Sequence, residues 1–262
     1  MTASPPRVAA AFACALLVLF GLLLGGAAQG FVPEADRVTA AVAAVNKSSG
    51  RAQALRFDLE MRIGDGEVIA TGELVTHPTG LARLELKGEG GLVERHILQG
   101  NARAASRNGL VLDRSRTFLP PLFLLQADSK VTMDAALQNF GVRMDAIGLA
   151  PCGESNCYVL GDSARVVPPS GESRPATADS LGSFSTIWVD IESFDVLRME
   201  SPGGVKTTLG PANSVDGLST PSWILIEEPG QSFVRFEVTR VTPVNAPAVA
   251  FGESWLRSPV EP

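Results

Sequence analysis

Residues 54–64, ALRFDLEMRIG, alternate without a break: Leu55, Phe57, Leu59, Met61 and Ile63 are apolar, while Arg56, Asp58, Glu60 and Arg62 are charged. Side chains of an extended strand point to opposite faces with a period of two, so this run is a strand with one dry and one wet face. Asp65-Gly66 is a tight-turn signal that sends the chain back through EVIATGELVTH, and the series continues through GLARLELKG, GLVERHILQG and ARAASRNGLVLD, the last broken by Asn108-Gly109. After residue 140 strands resume at VRMDAIGLA and CYVLG, then at STIWVDIE, DVLRMES, GVKTTLG, SWILIEE and SFVRFEVTRV. Some eleven or twelve strands at this regular spacing predict a mainly β chain, an antiparallel barrel or sandwich, and no repeat of solenoid length is visible.

Two segments break the β pattern. ADRVTAAVAAVNKSSG (35–50) is predicted as a helix, with Val38, Ala41, Val42 and Val45 at helical spacing and Gly50 as its stop. Between 118 and 140, FLPPLFLLQ is densely apolar but cannot be a central strand because of Pro120-Pro121, and TMDAALQNFG reads as a short helix. These pieces are expected to lie across the sheet. Residues 162–183, rich in Pro, Ser, Gly and Ala, read as a long flexible connection.

The N-terminus reads as an export signal: Arg7, an apolar run from Val8 to about Leu24, then small residues. Ala28 and Gly30 fit a cut before Phe31, and Gly26 and Ala28 fit a cut before Gln29. The run also approaches the roughly 17–25 apolar residues that span a bilayer, so retention as an inner-membrane anchor facing the periplasm is the alternative. Residues 31–262 are expected to form a single domain. The net charge of −6 and the lack of a basic cluster argue against nucleic acid as a partner. Cys152 and Cys157, an even pair in an exported chain, favour a disulfide; a structural zinc would need about four ligands, and no His or further Cys accompanies them.

No catalytic residues emerge. The two histidines, His77 and His96, lie in strand-like segments, with His96 expected on a solvated edge beside Glu94 and Arg95. GDSAR (161–165) has no following histidine to act as base, no Ser or Thr stands three residues before any lysine, and there is no Gly-x-Ser-x-Gly elbow. Asp190 and Glu192 share a strand face, which reads as a wetted surface rather than a glycosidase pair. The sequence implies no metal and no cofactor.

The order of elements, together with the hairpin IWVDIESFDVLRM carrying Trp188, Asp190 and Arg198 and the closing VTPVNAPAVAF with Asn245 and Phe251, resembles the periplasmic outer-membrane lipoprotein carrier (LolA-like) family over most of 31–251. The chain departs from that family in its Cys152–Cys157 loop, its 162–183 connection and its extension to Pro262. The resemblance implies an incomplete β-barrel covered by helices, with an apolar face that takes acyl chains of lipid or lipoprotein. The implied groove consists of Leu55, Phe57, Leu59, Met61 and Ile63 from the first strand and Val234, Phe236 and Val238 from the last, with Phe118, Leu122 and Phe123 as lid. It also implies a non-enzymatic periplasmic carrier served by a membrane-bound donor or acceptor protein. The alternative is an envelope sensor or scaffold that binds a protein or a mislocalised lipoprotein.

Overall fold

The computed structural model describes residues 32–100, 102–113, 118–153, 155–161 and 184–259. The export signal, its cleavage sites and the 162–183 connection lie outside the described residues, and from Pro33 onward the chain forms one unit. Helix α1 (Ala35–Ser48) is followed by strands β1 (Leu55–Ile63), β2 (Val68–His77), β3 (Leu81–Gly88), β4 (Val93–Gln99), β5 (Ala102–Arg107) and β6 (Leu110–Val111). A 3-10 turn (Leu122–Leu125) and helix α2 (Lys130–Phe140) come next, then β7 (Ile147–Cys152), β8 (Ser155–Leu160), β9 (Thr186–Asp190) and β10 (Val196–Glu200). The chain ends with β11 (Lys206–Leu209), β12 (Ala212–Val215), β13 (Leu218–Pro221), β14 (Trp223–Glu227), β15 (Val234–Pro243) and helix α3 (Glu253–Arg257).

Thirteen strands form one antiparallel sheet in the order β6-β5-β4-β3-β2-β1-β15-β14-β11-β10-β9-β8-β7, and β12 and β13 form a separate ribbon. The first and last long strands are neighbours, and the edges β6 and β7 do not pair, so the sheet is an incomplete barrel. The expected eleven or so strands undercount it. Asp216 and Gly217, both at positive φ, turn an extra hairpin from sequence that carries no alternation, and the expected break at Asn108 and Gly109 leads into the two-residue β6. At the first hairpin the left-handed residue is Gly64, one position before the expected Asp65-Gly66 pair.

One core contains Leu98 of β4, Ile187 and Val189 of β9, and Val38 and Val42 of α1. β4 and β9 lie eight places apart in the sheet, about 40 Å if it were flat at about 4.8 Å per strand, so the sheet must curl around the helices. α1 presents Val38, Thr39, Val42, Ala43 and Asn46 inward, and α2 presents Met133, Ala136, Leu137 and Phe140. α2 starts at Ser129, whose hydroxyl accepts from the Thr132 backbone N–H, and stops at Gly141 with φ 89°. A register shift between Asp58 and Leu59 opposite β15 leaves Thr239 as the extra residue, so the inward series there runs Val234, Phe236, Val238, Val241.

The C-terminal extension covers the outer face of β3–β5. Phe251 and Leu256 are fully buried, and the Trp255 ring lies 5.3 Å from the guanidinium carbons of both Arg83 and Arg95. Arg95 Nη1 donates to the Trp255 and Ser258 carbonyls, and Ser106 Oγ donates to the Leu256 carbonyl. β4 is consequently buried on both faces, which corrects the expectation of a solvated edge: Arg95 lies under the tail, and His96 lies inside the sheet against Phe118.

On the outer face of β7–β10, Ala150, Cys157, Val159 and Trp188 make a second small core. Cys152 and Cys157 are joined beside it. Arg198 lies directly opposite Trp188 in the ladder, with its guanidinium carbon 4.5 Å from the indole ring. Asp190 is part of the turn that follows: its Oδ1 accepts from the backbone N–H groups of Glu192 and Ser193, and its Oδ2 accepts from Ser155 Oγ. Burial pushes its carboxyl upward, but these donors outweigh burial and leave it below the ordinary aspartate value. The acid in this hairpin is thereby committed to holding the turn. Unreduced, denatured protein is expected to take no alkyl label at Cys152 or Cys157, and both after reduction. Reduction should cost only about 2 kcal/mol because the closed loop is short. Labelling of either residue without reductant would show free thiols.

Candidate functional site: an apolar mouth at the hairpin tips

The groove residues named from the sequence divide into two groups. Leu55, Phe57, Leu59, Met61, Val234, Phe236, Phe118, Leu122 and Phe123 are all buried in the larger core, and Val238 packs on its margin. The 118–127 segment therefore fills the curl of the sheet. Its position is fixed by Asn46, wholly buried on α1, whose Nδ2 donates to the carbonyls of Leu124 and Ala127, both at 3.0 Å. Arg51 in turn donates to Asn46 Oδ1 and forms a 2.9 Å ion pair with Asp195. Ile63 is the exception among the eleven, 38% exposed at the end of β1.

Around Ile63 the structure opens a cavity of about 540 Å3. Its lining comes from Met61 and Ile63 of β1, Ile69 and Ala70 of β2, and Leu86 and Gly88 of β3. Glu89 and Leu92 of the next turn, Glu94 of β4, Arg107 of β5, Leu112 and Phe118 complete it. Pairings Arg62↔Val68, Ala70↔Gly88, Lys87↔Val93 and Glu94↔Arg107 put the β1–β2, β3–β4 and β5–β6 tips at the same end of the sheet. Each tip exposes aliphatic side chains: Val68 and Ile69, Leu92, and Leu110 and Val111, with Leu110 at 75%. The volume lies within the roughly 300–1,000 Å3 of small-molecule pockets.

Sequence reasoning named Met61, Ile63 and Phe118 of this lining and missed the rest. The available signal was an aliphatic residue beside each turn, at Ile69, Leu92 and Leu110, where hairpin tips are ordinarily polar.

Three charged residues interrupt the apolar wall: Glu89 at the β3–β4 turn, and Glu94 and Arg107, which are paired. Glu94 accepts from His96 Nε2 at 2.9 Å through Oε1 and from Arg107 Nη2 at 3.0 Å through Oε2. The hydrogen bond from His96 holds the Glu94 carboxyl below its ordinary 4.5; burial opposes the shift and Arg107 adds to it. A carboxyl with a lowered native pKa stabilises the fold fully above its unfolded value, and that contribution is lost as pH falls through the native value. The urea midpoint of the wild type should therefore fall more steeply below pH 4.5 than that of Glu94→Gln. Parallel curves would show that Glu94 contributes nothing to acid unfolding.

Among the described residues no cluster of three or more His, Cys, Asp or Glu could hold a metal ion. His77 is remote from the cavity, hydrogen-bonded to Thr79 near Phe251. No helix among the described residues is long and apolar enough to cross a membrane.

No family model and no curated protein matches the chain. Solved structures do. A LolA superfamily protein of Nitrosomonas europaea is 9% identical with a TM-score of 0.48, and a DUF1329 family protein of Desulfovibrio piger is 13% identical with a TM-score of 0.48. A putative outer membrane lipoprotein-sorting protein domain of Vibrio parahaemolyticus is 9% identical with a TM-score of 0.46. Each comparison covers 86% of this chain and 100% of the other.

Proposed function

We propose that this protein is a non-enzymatic carrier or binding protein of the cell envelope that shields an acyl chain of a lipid or lipoprotein in the apolar mouth of its half-open barrel. The observation that carries this reading is the 540 Å3 apolar cavity ringed by exposed aliphatic hairpin tips in a sheet whose core is already filled by 118–127. Exposed apolar surface of this kind is kept where something docks, and each buried methylene of a chain contributes about 0.8 kcal/mol. In this reading residues 1–30 export the chain to the periplasm, and a membrane-bound donor or acceptor protein meets the tips. Phe118 and the 118–127 segment back the cavity, and the buried residues of β1 and β15 support that wall.

Native mass spectrometry of protein purified from the envelope fraction tests the proposal. The expected spectrum carries one added acyl species, which is lost in Leu92→Glu. A wild type at its bare polypeptide mass, with no uptake of added fatty acid or lysolipid, overturns it.

A further inference from the structure

We propose that the cavity selects an amphiphile with an anionic head group, carboxylate or phosphate, which sits on Arg107 while the chain lies along Ile69, Leu86 and Leu92. This rests on the acyl-binding reading above and goes beyond it by fixing the class of head group. Of the three charged side chains in the lining, Glu89 stands at the β3–β4 turn, and Glu94 has both carboxylate oxygens engaged, one by His96 and one by Arg107. Binding a cationic head there would mean breaking a pair already made. Arg107 is in the opposite condition. Its guanidinium has five N–H donors, one of which goes to Glu94, and its side chain is 55% exposed at the mouth. The bond to Glu94 fixes the guanidinium at the boundary between apolar wall and water, where a planar fork suits carboxylate or phosphate oxygens.

The charges around the mouth agree. Arg103 alternates onto the same face of β5 as Arg107. The carboxylates Asp65 and Glu67 lie on the β1–β2 tip, whose nearer strand β2 is three places from β5, while Glu89 stands on the β3–β4 tip within the lining. An anionic head is therefore repelled from one side and drawn to the other, which orients the chain.

The test is displacement of a neutral fluorescent probe, N-phenylnaphthylamine, by dodecanoate, dodecyl phosphate and dodecanol, which share one chain. Wild type should bind the two anions at least about tenfold more tightly than dodecanol, and Arg107→Gln should remove that preference while leaving dodecanol unchanged. Arg62→Gln, on a cation that bonds the Gly66 carbonyl outside the cavity wall, should retain the preference. A stronger response to dodecyl phosphate points to a phospholipid head, and a stronger response to dodecanoate to a free fatty acid. Equal affinity for dodecanol and the anions in wild type, or an equal loss for all three in Arg107→Gln, overturns the head-group selection and leaves acyl binding standing. Failure of all three to displace the probe overturns both. Should Arg107→Gln not fold, the wild-type comparison of anions with dodecanol still decides.

Discussion

Phe57→Glu is expected to abolish cooperative folding, whereas Ile69→Glu is expected to fold and lose acyl binding. The two side chains are opposites in environment: Phe57 is 2% exposed inside the core, and Ile69 is 42% exposed at the mouth. An unpaired carboxylate in a dry core costs several kcal/mol on top of the lost ring, a large share of the 5–15 kcal/mol that holds a domain together. At position 69 the carboxylate can reach water, so the stability change should stay within about 0.5 kcal/mol, while a charge now stands in the path of the chain. Circular-dichroism melts and probe displacement on the two variants separate the possibilities. A folded Phe57→Glu, or an Ile69→Glu that still binds, would move the ligand from the mouth into the curl of the sheet.

Asn46→Ala should destabilise the protein by about 3–5 kcal/mol, more than its small side-chain volume would suggest. The amide is wholly buried, donates to the carbonyls of Leu124 and Ala127, and accepts from Arg51. Truncation strands two carbonyls and part of a guanidinium away from water, at about 1–3 kcal/mol each, with partial relief from relaxation. Because those carbonyls belong to the segment that fills the sheet, hydrogen exchange should rise in residues 118–127 before it rises in β1 or β15. Equal protection throughout would mean that 118–127 is held by its apolar packing and not by Asn46. Asp195→Asn, which keeps Arg51 bonded to Asn46 and exchanges only the outer partner, should cost much less.

The strand β1 was legible because its alternation has a single physical solution, and the Asn108-Gly109 turn because both residues accept positive φ. α1 and α2 were equally legible, α1 from helical spacing and its Gly50 stop and α2 from the apolar residues of TMDAALQNFG. β12 and β13 were not, because ANSV and LSTP carry no alternation and are paired only through the Asp216-Gly217 turn. His96 was misplaced for a related reason. VERHIL looks wet to a local reading, but Phe118 covers His96 from inside the sheet, and Trp255, 160 residues beyond Arg95, covers Arg95 from outside.

The sequence by itself determined a mainly antiparallel β protein with helices across it and the dry face of β1, and it favoured the pairing of Cys152 with Cys157, since these follow from periods and turns within a few residues of one another. Which dry residues are core and which line a cavity was decided only by the tertiary structure. Phe57 and Ile63 obey the same alternation, but Phe57 is enclosed in the core while Ile63 stays exposed at the mouth. Burial depends on what arrives from distant sequence to cover a face, and no local pattern records where that covering ends.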